Sequence, residues 1–351
     1  MLTIENLEKD LKEGKQNSIY LLYGEELFLL ESCLKKIKNN FGERKAGINE
    51  IKIDETNVNG IISDIETPAF GYEKKLIIAR NTGLFKKEGR KKTGVNTELA
   101  NKIADYIKEN IKVINESVVL VFVEEEAEKN ELYKIIETVG AVCEFCELKP
   151  VQIGARIKAI TKAYGVQIDD ITIKYFIECC GTNMQVLINE IRKLIEYAGT
   201  NGKITKNDID LLCIKQLDSV IFDLTDNLGN KRVDKALDVL NNLIYQKEPI
   251  QKILITLYNH FKKLYIIKTV QRENGNVAEC LNLKPNQMFL VTKYKTQSNY
   301  FKEEELKSII EELINLDYNY KIGLIDLNIG LESILCRYCS WNNFFNKKIK
   351  K

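Results

Sequence analysis

Gly24, Glu25 and Glu26 follow the apolar run Ile19 to Tyr23 and precede the apolar Leu27. That order reads as a buried strand, a sharp turn and a helix, the position at which a nucleotide-binding protein carries its phosphate loop. Such a loop needs glycines for close approach of backbone N–H groups, a lysine for the β/γ charge and a Ser or Thr hydroxyl for magnesium. Here the turn offers two carboxylates, and no Gly-Lys-Ser/Thr run occurs anywhere in the chain. Nucleotide chemistry is therefore not expected, and neither is any other cofactor. Glu124, Glu125 and Glu126 end the run Val118 to Val123, where an ATPase would hold magnesium and water-activating carboxylates. Without the lysine loop they read as a solvated strand end.

The remaining reactive side chains give no catalytic set. The single histidine, His260, lies among Leu254, Leu257, Tyr258, Phe261, Leu264 and Tyr265, apolar positions at helical spacing, and so reads as part of an ordinary amphipathic helix. Two Cys-x-x-Cys pairs, Cys143/Cys146 and Cys336/Cys339, resemble half-sites for zinc. The first pair lies in a strand pattern, where positions three apart point to opposite faces. The second shares a helix face but has no third cysteine or histidine beside it. No metal site and no catalytic residue is assigned.

Composition limits the classes further. The 52 basic and 50 acidic residues give a net charge of +2, so no global field marks a nucleic-acid binder and any DNA contact must be local. Nine cysteines without a compact framework suit reduced thiols. The longest apolar runs fall far short of the roughly 20 residues a membrane span needs, and the N-terminus carries no signal pattern. The expectation is a cytoplasmic protein with no membrane partner.

The elements that must position these residues change character near residue 150. Before it, apolar strands at Ser18 to Gly24, Asn49 to Glu55, Lys74 to Arg80, Ser117 to Glu125 and Ala141 to Leu148 alternate with helical patterns, one of them over Thr97 to Asn110. Five buried strands alternating with helices predict an α/β domain with a parallel sheet covered on both faces. After Pro150 the strand pattern stops, and helices are expected over Val151 to Tyr164, Ile171 to Cys180, Asn183 to Tyr197 and Asp208 to Ile214. A second helical unit begins near Gln216. The expected domains are therefore 1–150, an α/β domain; 151–215, a small helical lid; and 216–351, a larger helical unit.

The order of these segments, with YLLYGEELFLLE, TPAFGYEKKLIIARN, VVLVFVEE, GTNMQVLINEIRKL, IFDLTDNLGN and DYNYKIG, resembles the delta-subunit family of the bacterial DNA polymerase III clamp loader. The resemblance implies a RecA-like AAA+ architecture that has lost ATP chemistry, followed by a lid and a helical collar used for oligomerisation. It also implies a subunit with no catalysis of its own within a DNA-directed DNA polymerase (nucleotidyltransferase) holoenzyme. The implied partners are the beta sliding clamp, which the subunit binds and opens for DNA replication, the gamma/tau and delta prime subunits, and primed DNA within the assembled complex. Pro68 stops a helix and holds the next residues extended, so Phe70 is expected on an exposed tip. The family's clamp-contacting apolar pair falls on Ala69 and Phe70. Ala69 is a weak anchor, which leaves Phe70, helped by Tyr72, to make the contact.

Two basic stretches are candidate DNA contacts. Lys86, Lys87, Arg90, Lys91 and Lys92 form a cluster after the third strand, and Tyr294 and Lys295 place an aromatic beside a cation. Both also suit a solvated surface or helix packing. The competing functional readings are an ATP-hydrolysing AAA+ loader subunit, which lacks its phosphate loop here, and a helical DNA-binding protein on an α/β platform, which lacks a basic recognition helix.

Overall fold

The computed structural model describes residues 1–86, 95–272, 277–281, 283 and 287–348, without the side chains of 95, 96, 272, 278 and 339–348. Two compact units divide the chain, Met1–Glu147 and Leu148–Lys351.

The first unit is built on strands β1 (Ile19–Tyr23), β2 (Glu50–Ile53), β3 (Lys75–Arg80), β4 (Val118–Glu124) and β5 (Ala141–Glu144). All pairings are parallel, in the order β2-β3-β4-β1-β5. Every residue of β1 and β4 is buried, as expected of central strands covered on both faces. The helices of this unit are α1 (Ile4–Lys12), α2 (Leu27–Phe41), α3 (Ile61–Glu66), α4 (Val95–Ser117) and α5 (Glu131–Val139). Ile19, Leu21, Ile77, Leu120 and Phe122 pack on one face against Ile65, Ile103, Ile107 and Ile136 from α3, α4 and α5. The alternate residues Tyr20, Leu22, Ile78 and Val121 are also buried, and α1 packs on α2 and β5. The period-2 alternation of the strands thus feeds two apolar layers. Helix α4 breaks at Asn110 (φ −110°, ψ 17°), where the sequence pattern predicts its end. It then resumes to Ser117, and the Asn110 amide donates to the Tyr106 carbonyl across the break.

The second unit contains no strand among its described residues. Its helices are α6 (Pro150–Ala163), α7 (Asp170–Cys180), α8 (Met184–Ala198), α9 (Lys206–Leu212), α10 (Leu217–Gly229), α11 (Val233–Tyr245), α12 (Ile250–Arg272), α13 (Val277–Cys280), α14 (Leu290–Ser298), α15 (Glu303–Lys321) and α16 (Leu327–Lys348). Asp169, Asn183 and Thr205 cap α7, α8 and α9 by accepting an amide from the first turn. One core gathers α10 to α16, with Phe222, Leu257, Phe261, Ile309 and Leu331 among its members.

His260 lies within this core, 4% exposed. The Gln297 amide nitrogen donates to the Phe222 carbonyl at 2.9 Å, which turns its oxygen toward His260 Nε2 at 2.8 Å. The imidazole therefore carries its proton on Nε2 and donates it to Gln297. Burial lowers its pKa to about 3. Tyr294, a candidate DNA-stacking residue from the sequence, is only 2% exposed. Its ring packs 4.6 Å from Phe222 and 5.2 Å from His260, and its hydroxyl accepts from Lys263 at 3.2 Å. That corrects the expectation: no ring face remains for a base. Among the described residues, no helix is long and apolar enough to cross a membrane.

Candidate functional site

The segment between α3 and β3 carries the sequence-predicted contact residues. Thr67 adopts φ −70°, ψ 128°, the extended conformation that a following proline imposes, and α3 ends there. Its hydroxyl donates back to the Ser63 carbonyl at 2.7 Å. The Tyr72 N–H donates to the Ala69 carbonyl at 2.8 Å, closing a four-residue turn. Gly71, third in that turn, has φ +80°, the conformation a type II turn demands at this position and glycine adopts without strain. Phe70 stands second and is 74% exposed. Ala69 and Tyr72 flank it, each half-buried.

Both ends of this loop are fixed. Lys75, 3% exposed, sends its ammonium back under the loop to the carbonyls of Asp64, at 2.8 Å, and Thr67. These belong to the last turn of α3 and its C-cap, where a cation also meets the negative end of the helix dipole. Burial lowers the Lys75 pKa, with the nearby Asp64 carboxylate opposing. On the outgoing side, Leu76 donates to the Asn49 carbonyl at 2.7 Å as β3 joins β2, and Lys74 donates to the Asn115 carbonyl at 3.0 Å. The sequence did not mark Lys75: a lysine opening an apolar strand looks solvated until its partners on α3 are known. A backbone tethered in this way has less conformational freedom to lose on binding than a free loop has.

At the opposite end of the parallel sheet lies the Gly24 turn, after β1. Gly24 N–H donates to the Glu124 carbonyl at 3.3 Å, Phe145 N–H to the Tyr23 carbonyl at 2.7 Å, and Glu26 N–H to the Phe145 carbonyl at 2.9 Å. A Cβ on Gly24 would lie 2.4 Å from the Phe145 carbonyl oxygen. Glycine is needed here because the Phe145 backbone occupies the space against the turn. The N–H groups of Gly24 and Glu26 thus face protein carbonyls, and Glu25 is exposed beside them.

Glu124 departs from the sequence expectation of a solvated strand end. It is 2% exposed, and one carboxylate oxygen accepts from the Thr82 N–H at 2.9 Å and the Thr82 hydroxyl at 2.6 Å. Burial raises its pKa, with the Thr82 bonds opposing. Its work is to hold the loop after β3. Of the candidate DNA contacts, Lys86 and Lys295 are exposed, while Lys87, Arg90, Lys91 and Lys92 lie outside the described residues. Cys143 is buried and Cys146 exposed, consistent with opposed directions along the strand end. Cys336 is exposed, and the Cys339 side chain is outside those described.

Two family profiles match this chain. Residues 20–145 match the DNA polymerase III, delta subunit, profile and residues 218–338 match the DNA polymerase III delta subunit, C-terminal domain, profile. Both describe one family, in chain order, and together they take in well over half of the sequence. The chain belongs to the DNA polymerase III delta-subunit family. Similarity to delta subunits extends across nearly the whole length. The DNA polymerase III subunit delta of Bacillus subtilis (strain 168) is 25% identical over 338 residues, 95% of this chain and 96% of that one. The probable DNA polymerase III subunit delta of Aquifex aeolicus (strain VF5) is 28% identical over 319 residues, 88% and 87% of the two chains. The solved structure of the Bacillus subtilis DNA clamp loader delta protein shares the fold, with a TM-score of 0.70 at 24% identity over 96% of this chain and 99% of that one. Delta-subunit membership makes this a DNA replication protein, and the parallel sheet followed by helices is the architecture of that relative.

Proposed function

We propose that this chain is the subunit of a clamp loader that binds the ring-shaped sliding clamp and holds one of its interfaces open, so that the clamp can be placed on primed DNA. The observation that carries the reading is Phe70, 74% exposed on a turn tied down from both sides. A large aromatic kept out of its own core suits a hot spot that fills a partner pocket. Ala69 and Tyr72 support it from the flanks. A binder opens a ring only as far as it prefers the open form, so the Phe70 pocket is expected to change shape between open and closed clamp.

The Gly24 turn supports a subunit without ATP chemistry or catalysis of its own, because the N–H groups of Gly24 and Glu26 already have protein acceptors. In this reading 1–150 binds the clamp, 151–215 is a small lid, and 216–351 is the collar that joins gamma/tau and delta prime. The collar role draws support from apolar side chains left in water: Ile314, Tyr318 and Ile322 at helical spacing, and Leu324 and Ile329 beyond them, each at least 51% exposed. Lys86 and Lys295 stand as DNA-facing candidates only within the assembled loader, in the cytoplasm.

The test is equilibrium binding of the purified full chain to its cognate clamp. Saturable binding without nucleotide is expected. No binding in the absence or presence of the other loader subunits would end this reading.

A further inference from the structure

The ends of α7 and α9 and the middle of α8 bring together three side chains far apart in sequence. Cys180 is fully buried at the C-terminus of α7, Glu190 is 6% exposed on α8, and Cys213, half-buried, caps α9. Their two sulfurs and a carboxylate oxygen all lie within 4.8 Å of one another. The nearby Cys213 thiol and burial raise the Cys180 pKa. Glu190 is held in place by its Oε2, which accepts from the Ile214 N–H at 2.9 Å and from the Lys193 ammonium at 2.6 Å. Oε1 takes no part in these two contacts.

We propose that Cys180, Glu190 and Cys213 form a binding site for a thiophilic divalent cation, Zn2+ being the ion the donors fit best. Two thiolates and one carboxylate are ordinary zinc ligands, and water completes the tetrahedron. Charge balances without rearrangement. In the metal-free protein Glu190 is paired with Lys193. The cation replaces the two thiol protons, forming two metal–sulfur bonds and releasing two protons, so the local net charge is unchanged. Cys213, being half-buried, opens a route from solvent. The bound ion would join the end of α7 and the middle of α8 to the short connection from Cys213 to α10. That connection is already held by the Gln216 N–H, which donates to the Cys179 carbonyl at 2.8 Å. The site would thus brace the entry into the last group of helices.

The experiment uses the full chain, reduced and stripped of metal. Co2+ titration should give thiolate-to-cobalt charge-transfer absorption saturating at one ion per chain, and Zn2+ should displace the cobalt and raise the Tm. Cys213→Ser, at a half-buried position that tolerates the change, should weaken Zn2+ binding ~100-fold or more, since losing even an outer partner of a ligand costs 10–100-fold. Cys180→Ala and Glu190→Gln should do likewise, whereas Cys280→Ser and Cys336→Ser, at exposed positions, should bind as the wild type does. Zn2+ affinity unchanged in Cys213→Ser would overturn the proposal. So would a reduced protein that takes up no metal yet forms a Cys180–Cys213 disulfide on oxidation.

Discussion

Replacing Phe70 by alanine separates a docking residue from a core residue. A phenylalanine side chain at the lower end of the aromatic range presents ~150 Å2, and at 74% exposure about 110 Å2 of it faces water. Covering that area in a partner pocket at ~25 cal/mol per Å2 yields about 2.8 kcal/mol, a ~100-fold loss of clamp affinity in Phe70→Ala. The part already covered, ~40 Å2, limits the folding cost to about 1 kcal/mol, or ~2–4 °C in Tm. A phenylalanine packed in its own core would instead cost ~3–5 kcal/mol and ~10 °C or more. Surface plasmon resonance against the cognate clamp gives the first quantity and thermal unfolding the second. Wild-type clamp affinity in the variant, or a Tm fall of ten degrees, refutes the assignment. The companion Tyr72→Ala should lose less binding than Phe70→Ala, because its half-buried ring can only support the contact from the side.

The other expectations rest on separate features. Lys75→Met removes a charged donor from two carbonyls and should cost ~1.5–3 kcal/mol of stability while also weakening clamp binding, although residue 75 is itself buried; clamp binding unchanged beside a lowered Tm would detach the loop anchor from function. Calorimetry should show no ATP binding at micromolar nucleotide, and measurable heat would mean the Phe145 segment leaves the Gly24 turn. His260, lowered to about 3 in the folded chain against ~6.5 unfolded, makes the unfolded state the better proton binder between these values. Stability from this residue is therefore full above pH ~6.5 and is lost as pH falls, by ~1.4 kcal/mol per unit; denaturant titrations of His260→Gln should lack that slope between pH 6 and 4. Finally, Tyr318→Glu with Leu324→Glu should abolish incorporation into the loader, read by size-exclusion chromatography, and leave binding to the isolated clamp intact.

The sequence by itself determined the elements. Ile19 to Tyr23 and Val118 to Val123 are continuous apolar runs bounded by turn residues, and the even and odd positions of such a run must both be buried, so a parallel sheet covered on both faces follows from period alone. Pro68 and Gly71 likewise write their turn into the local chain, because the backbone restriction belongs to the residues themselves. What the tertiary structure decided is which side chains meet across long separations. Glu124 reads as solvated until Thr82 is brought to it, and Tyr294 reads as a free aromatic until α10 and α12 close over it. Lys75 acquires its role only when α3 turns its last carbonyls toward β3, and Gly24 its necessity only when Phe145 packs against it. Cys180 and Glu190 sit on two helices and Cys213 caps a third, and no spacing rule along one segment joins them. Local patterns fix backbone conformation because their energies act within a few residues; partners of buried polar groups depend on how whole elements pack, and that information is distributed over the chain.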